Sequence, residues 1–223
     1  MRIIQAVVFD LDGLLVDSEP VWFQVRTEMF GRCNLSWTDD DQKALMGRST
    51  AAWIEYVAEK LQGKLTREEI FDETIRGMVT QYRSGNVRVM PGADEAIRYC
   101  AVNFTLGLAS GSPRVLIDAA LRSNGWEHFF PEVVSSDEVP RGKPAPDVYD
   151  KAFTQLGVDP RATVVVEDSE SGILAGKASQ ASVIAVPNER LMPSPAGLRA
   201  ADIVIPSLRS ISDAVKTIEQ SLQ

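Results

Sequence analysis

The chain of 223 residues is longer than an average domain and shorter than two, and 44% hydrophobic with 24% charged residues is the profile of a soluble globular fold. That excludes wholesale disorder, a collagen-like chain and a disulfide miniprotein. A net charge of −8 argues against nucleic acid as the main partner, whose phosphates would be repelled, but not against small phosphorylated ligands, which answer to the local field of a pocket.

In chain order, residues 5–9 form a short β-branched apolar run that stops at Asp10-Leu11-Asp12-Gly13, which predicts a buried strand ending in a turn. Residues 19–30, 39–46, 50–61 and 66–82 read as helices, the last opened by Thr66-Arg67-Glu68-Glu69 with the spacing of a capping box, and no strand is expected among them. The chain leaves this block near Met90-Pro91-Gly92. A helix over 94–102 precedes a second strand, 105–109, ending at Ser110-Gly111-Ser112. Ser112-Pro113 then predicts an N-cap with proline at the first helical position, and Gly125 closes that helix. Further strands are expected at 131–135, 162–166, 182–186 and 202–205, with helices at 147–156 and 171–181. Local mobility is expected in the turn 137–145 or the proline-rich loop 188–197.

Strand and helix in alternation imply a doubly wound, Rossmann-like parallel sheet covered on both faces. The expected organisation is a core of residues 1–16 and 89–223, with a helical-bundle cap, 17–88, inserted after the first strand. No apolar run is long enough for a membrane helix, and Cys33 and Cys100 are expected as free, packed thiols in a cytoplasmic, monomeric protein. The single histidine, His128, stands among Trp126, Phe129 and Phe130 and reads as a packing residue near a helix end. One histidine rules out zinc sites built on two or three, so carboxylates must carry the chemistry.

Ligands of an open parallel sheet bind beyond the carboxyl ends of its strands. Those ends carry Asp10, Asp12, Ser110, Ser112, Glu167 and Asp168, with Lys143 in a following loop. Two like charges ~4 Å apart cost on the order of 4 kcal/mol at moderate dielectric, so converging carboxylates call for a hard divalent cation, Mg²⁺ by preference. Ser110 and the Gly111 N–H, ahead of a helix, form a cradle for phosphate oxygens, and Lys143 supplies a compact positive charge. An Asp12 held neutral there would pass a proton to a leaving alkoxide and recover one from water. Each residue alone has an ordinary reading: the aspartates as turn formers, the serines as a helix cap, the lysine as a solvated charge.

Taken together, Asp10-Leu11-Asp12-Gly13, Ser110-Gly111-Ser112, Gly142-Lys143-Pro144 and Val166-Glu167-Asp168-Ser169 resemble, in order and over the whole chain, the haloacid dehalogenase superfamily, in its phosphosugar phosphatase and β-phosphoglucomutase branch. The resemblance implies Asp10 as a nucleophile that forms an aspartyl-phosphate and Asp12 as general acid/base. Ser110, Gly111 and Lys143 would hold the phosphoryl group. Asp10, the Asp12 carbonyl and Asp168 would bind Mg²⁺, with Glu167 as a direct or water-mediated ligand. Gly47-Arg48-Ser49 resembles a cap loop that reaches substrate, which gives Arg48 to the substrate's oxygens. Trp22 and Trp53 read as cap-core aromatics that could also face the cleft. Trp22 takes the place of a histidine that the mutases carry, which favours hydrolysis of a small phosphorylated metabolite, a sugar phosphate, over a phosphosugar mutase. A module that binds a phosphorylated ligand or partner without turnover is the alternative from another class.

Overall fold

A computed structural model describes residues 3–45, 49–188, 190 and 192–223. Its six-stranded sheet is parallel throughout, in the order β5-β4-β1-β6-β7-β8. The central strand β1 (Ala6–Phe9) lies between β4 (Thr105–Ser110) and β6 (Thr163–Glu167), with Phe9 opposite Leu108 on one side and Val166 on the other. Outward of β4 is β5 (Glu132–Ser135); outward of β6 come β7 (Ser182–Ala185) and β8 (Ile203–Val204). The strand order reverses at β1, and the acidic turns after β1 and β6 open side by side there.

Period-two alternation explains why these strands are apolar on both sides. Val7, Phe9, Leu106, Leu108, Val164 and Val166 pack in one core with Ile97, Leu116 and Val215, which come from α5 (Ala93–Asn103), α6 (Arg114–Asn124) and α10 (Ile211–Ser221). Val8, Ala109, Val165 and Val183 face the other way, against Val148 and Phe153 of α7 (Asp147–Leu156) and Ile173 of α8 (Glu170–Ala178).

The helical block follows β1 as α1 (Glu19–Arg32), α2 (Asp39–Leu45), α3 (Thr50–Lys60) and α4 (Arg67–Arg83). The expected capping box is present: the Thr66 hydroxyl accepts from the Glu69 N–H and the Glu69 carboxylate from the Thr66 N–H. Met29, Phe30, Trp37, Trp53, Leu61 and Ile70 form the block's own core.

Several expectations need correction. The chain crosses between block and sheet through an unforeseen antiparallel pair, β2 (Val16–Asp17) with β3 (Arg88–Val89). Two residues per strand carry too little periodicity to be read in advance. Pro113, not Ser112, caps α6, and the Ser112 hydroxyl is directed to Asp12 instead. A short helix, α9 (Pro195–Ala200), begins within the loop expected at 188–197, capped by Ser194, whose Oγ accepts from the Gly197 N–H at 3.0 Å. Helix α10 was not anticipated either. His128 is exposed on a 3₁₀ turn against Phe129, not packed inside. Cys100 is buried and Cys33 half-buried, and both are free thiols.

Candidate active site

The turn after β1 is held tightly: Asp10 N–H donates to the Val166 carbonyl at 3.1 Å, Gly13 N–H to Val16 at 2.8 Å, and Leu15 N–H to Leu11 at 2.9 Å. Gly13 has φ +87°, and a Cβ there would fall 2.2 Å from Asp168 Oδ2, so glycine is needed both for conformation and for the close approach of the second acidic turn. Asn188 braces the same turn, its buried Nδ2 donating to the Gly13 carbonyl at 2.9 Å.

Lys143 reaches in from the loop before α7. Its Nζ donates to Asp10 Oδ1 at 2.6 Å, Glu167 Oε1 at 2.6 Å and the Ala109 carbonyl at 3.1 Å, which uses all three ammonium protons. Glu167 is fully buried. Its Oε1 also accepts from the Tyr149 hydroxyl at 2.8 Å, and its Oε2 accepts from the Asp168 N–H, the Ser169 N–H and the Ser169 hydroxyl at 3.0–3.1 Å. With both oxygens so occupied, Glu167 acts first as the anchor of Lys143, which weighs against direct metal ligation.

Asp168 differs. Its Oδ2 is buried and has no hydrogen-bond partner among the described residues. Asp10, Glu167 and Asp168 each offer one oxygen, and these oxygens lie within 4.8 Å of one another. Three carboxylates thus face a single ammonium. Burial, with the Glu167 and Asp12 charges adding to it and Lys143 opposing, pushes Asp10 up to about 8. Burial, then the Glu167 and Asp10 charges, raises Asp168 well above the usual carboxylate range. Burial would lower Lys143, but the Asp10 and Glu167 charges outweigh it and hold the ammonium well above its ordinary value. An orphaned buried oxygen in an all-oxygen donor set fits a hard divalent cation, whose charge would restore the anionic forms.

Asp12 is held by hydroxyls. Oδ1 accepts from Ser18 Oγ at 2.6 Å, and Oδ2 from Ser112 Oγ at 2.7 Å and Ser110 Oγ at 3.1 Å. With its carboxylate so engaged, any contribution of Asp12 to a cation falls on its main chain. Ser110 is fully buried behind Gly111 and Ser112, which form the wall, so a phosphate contact from Ser110 requires its hydroxyl to turn away from Asp12. A Cβ at Gly111 would meet nothing within 4 Å, leaving its backbone open to the cavity.

The cavity has a volume of about 390 Å³, with Asp10, Asp12, Lys143 and Asp168 on the sheet side and Glu19, Trp22, Arg26, Gln42 and Trp53 on the helical side. Trp22 and Trp53 meet edge to face, 6.1 Å between centroids, and are both buried core and cavity wall. Arg26, Gln42 and Tyr149 were missed from the sequence. For Arg26 a signal existed: Glu19, Trp22 and Arg26 are spaced i, i+3, i+7, one face of α1. Arg48 lies outside the described residues.

Carboxylates at the ends of adjacent parallel strands, clamped by a buried lysine, thus face the helical block across one cavity. Residues 7–186 match the family of haloacid dehalogenase-like hydrolases, and the chain belongs to it. Hexitol phosphatase B of Escherichia coli strain K12 is 29% identical over 95% of this chain and 96% of its own length. The phosphorylated carbohydrates phosphatase of Thermotoga maritima is 30% identical over 78% and 81%. The crystal structure of CbbY from Rhodobacter sphaeroides in complex with phosphate superposes with TM-score 0.82 over 93% of this chain and 96% of that one; at 23% identity it bears on the fold alone. The protein is a phosphomonoester hydrolase of this family, with its α/β fold.

Proposed function

We propose that this enzyme hydrolyses a small sugar or polyol phosphate with the help of Mg²⁺, through an aspartyl-phosphate on Asp10. The observation that carries the reading is the buried Asp10–Lys143–Glu167 network beside the unpartnered Asp168 oxygen. Asp10, Asp168 and the Asp12 main chain would hold the cation, with Glu167 behind them. When bound it would neutralise the phosphate and the crowded carboxylates.

The residues divide the work as follows. An Asp10 oxygen attacks phosphorus in line, and the P–O bond to the leaving group breaks. Asp12 donates a proton to the departing alkoxide, then takes one from the water that attacks the acyl phosphate; inorganic phosphate leaves and the Asp10 carboxylate is restored. The three serines hold the Asp12 carboxylate near that path. Lys143, its three protons already donated, would offset the charge of the transferring group through its field, and the Gly111 N–H would donate to its oxygens. That relatives named as carbohydrate and hexitol phosphatases match most of the chain supports the substrate class. Two free thiols, and helices none of which among the described residues is long and apolar enough to cross a membrane, fit a cytoplasmic setting.

The test is release of inorganic phosphate from an aryl phosphate and from a hexitol phosphate, with and without Mg²⁺, beside Asp10→Asn. Wild-type turnover that needs Mg²⁺ and vanishes in the variant is expected. Equal rates in the two proteins would remove Asp10 as nucleophile, and transfer between two positions of a hexose phosphate without phosphate release would make the enzyme a mutase.

A further inference from the structure

The helical wall of the cavity holds a cation and an anion that do not pair. Arg26 is almost fully buried, yet among the described residues it has no carboxylate within ion-pair distance. Its single hydrogen bond there is Nη1 to Gln42 Oε1 at 3.0 Å, and its Nε is buried without a partner. The Gln42 amide stands between the charges: Oε1 accepts from Arg26 and from Trp37 Nε1 at 3.1 Å, while Nε2 donates to Glu19 Oε2 at 2.8 Å. The amide's orientation is dictated, since a carboxylate takes only its N–H and the guanidinium and indole take only its oxygen.

Three indoles fix the guanidinium further. Its central carbon lies 4.7 Å from the Trp22 ring centre, 5.6 Å from Trp53 and 5.7 Å from Trp37. Such cation–π contacts offset part of the cost of burying the charge and leave little freedom to swing toward Glu19. Burial, opposed by the Glu19 charge, brings Arg26 down to about 10, so it remains a cation at neutral pH.

We infer that Arg26, positioned by Gln42, is a specificity-determining residue that together with Glu19 reads neighbouring hydroxyls on the leaving group of a polyol phosphate. This rests on the phosphatase reading above and narrows it. A hydroxyl both donates and accepts, so a diol can satisfy a guanidinium and a carboxylate held one amide apart. Trp22 and Trp53, which line the same cavity, would meet its C–H surface. A second phosphate or a carboxylate on the leaving group would gain Arg26 but meet Glu19, with Asp12 and Asp10 across the same cavity.

The experiment compares kcat/KM for a hexitol phosphate, a phosphorylated carboxylic acid and an aryl phosphate without hydroxyls, in wild type, Arg26→Met, Arg26→Lys and Glu19→Gln. Losing a charged hydrogen-bond partner predicts a fall of about ten- to a hundredfold in the hexitol-to-aryl selectivity ratio for Arg26→Met, carried mainly by KM. Arg26→Lys should recover part of it. Glu19→Gln should lower the same ratio while improving the carboxylic substrate. Retained aryl phosphate turnover reports a folded site, and Glu19→Gln and Arg26→Lys, which preserve volume, carry the test should the methionine variant unfold. An unchanged ratio in the folded variants, or a loss confined to the carboxylic substrate, overturns the inference. Absence of wild-type turnover on all three substrates would instead refute the phosphatase reading itself.

Discussion

Gly172, in the first turn of α8, passes so close to Glu167 that a Cβ built on it would fall 1.7 Å from Oε1 and 1.8 Å from the carboxyl carbon. The helix gives up side-chain volume so that the buried carboxylate can sit against its backbone. Helix propensity alone favours alanine over glycine by about 1 kcal/mol. Here the clash must win, because Glu167 is held on both oxygens and cannot step aside. Gly172→Ala is expected to lower unfolding free energy by about 1–3 kcal/mol, the usual cost of overpacking, and to reduce phosphatase activity by displacing Lys143. Urea denaturation showing a gain in stability would contradict this.

Lys143 is shared between two buried carboxylates. Removing one partner of a buried ion pair leaves uncompensated charge, typically at a cost of about 3–5 kcal/mol. Lys143→Ala should lose about that much stability as well as activity. Lys143→Arg should not restore activity, because a planar guanidinium cannot direct three donors at Asp10, Glu167 and the Ala109 carbonyl as the ammonium does. Recovery of wild-type kcat by arginine would show that charge alone suffices.

Asp168 carries the buried oxygen without a partner. A ligand that binds only the native state stabilises it by mass action, about 2.7 kcal/mol at a hundredfold excess over Kd. Millimolar Mg²⁺ is therefore expected to raise the melting temperature of the wild-type protein, with chelator reversing the shift. In Asp168→Asn the shift should shrink or disappear. An equal Mg²⁺-induced shift in both proteins would place the cation elsewhere.

Acid sensitivity in the helical block is predicted to centre on Asp41. Burial would raise its carboxyl, but hydrogen bonds from Lys60, Thr38 and Tyr56 outweigh it and hold the group below the usual range. A carboxyl whose folded value lies below the unfolded value of about 3.9 contributes fully above that pH and loses its contribution as pH falls through the folded value. Asp41→Asn should thus be less stable than wild type at about pH 6, and the gap should narrow progressively below about pH 4. Denaturation curves showing a constant gap over that range would rule this out.

Much of the architecture was legible because local patterns and the final packing agree. Apolar runs ending in polar turns marked all six strands of the main sheet, and Thr66 with Glu69 marked the start of α4. The acidic strand ends, Ser110, Lys143 and Glu167 with Asp168 were visible as motifs, and the fold gathers them at one edge. Less legible were features set by a single distant contact. The Ser112 hydroxyl looked like a helix cap until Asp12, a hundred residues earlier in the chain, proved to be its acceptor at 2.7 Å. Nothing in the sequence singled out Tyr149, yet its hydroxyl donates to Glu167 Oε1 at 2.8 Å.

From the order of residues alone followed the parallel sheet and the helical insertion, because strand periodicity and turn chemistry act over a few neighbours, while four ordered motifs carried the resemblance to the family. Only the folded chain decided that Glu167 is spent on Lys143, that Asp168 keeps an oxygen free, and that Gln42 separates Arg26 from Glu19. Those outcomes depend on which buried donors and acceptors the tertiary packing brings within reach, a competition between groups far apart in the chain that local pattern does not encode.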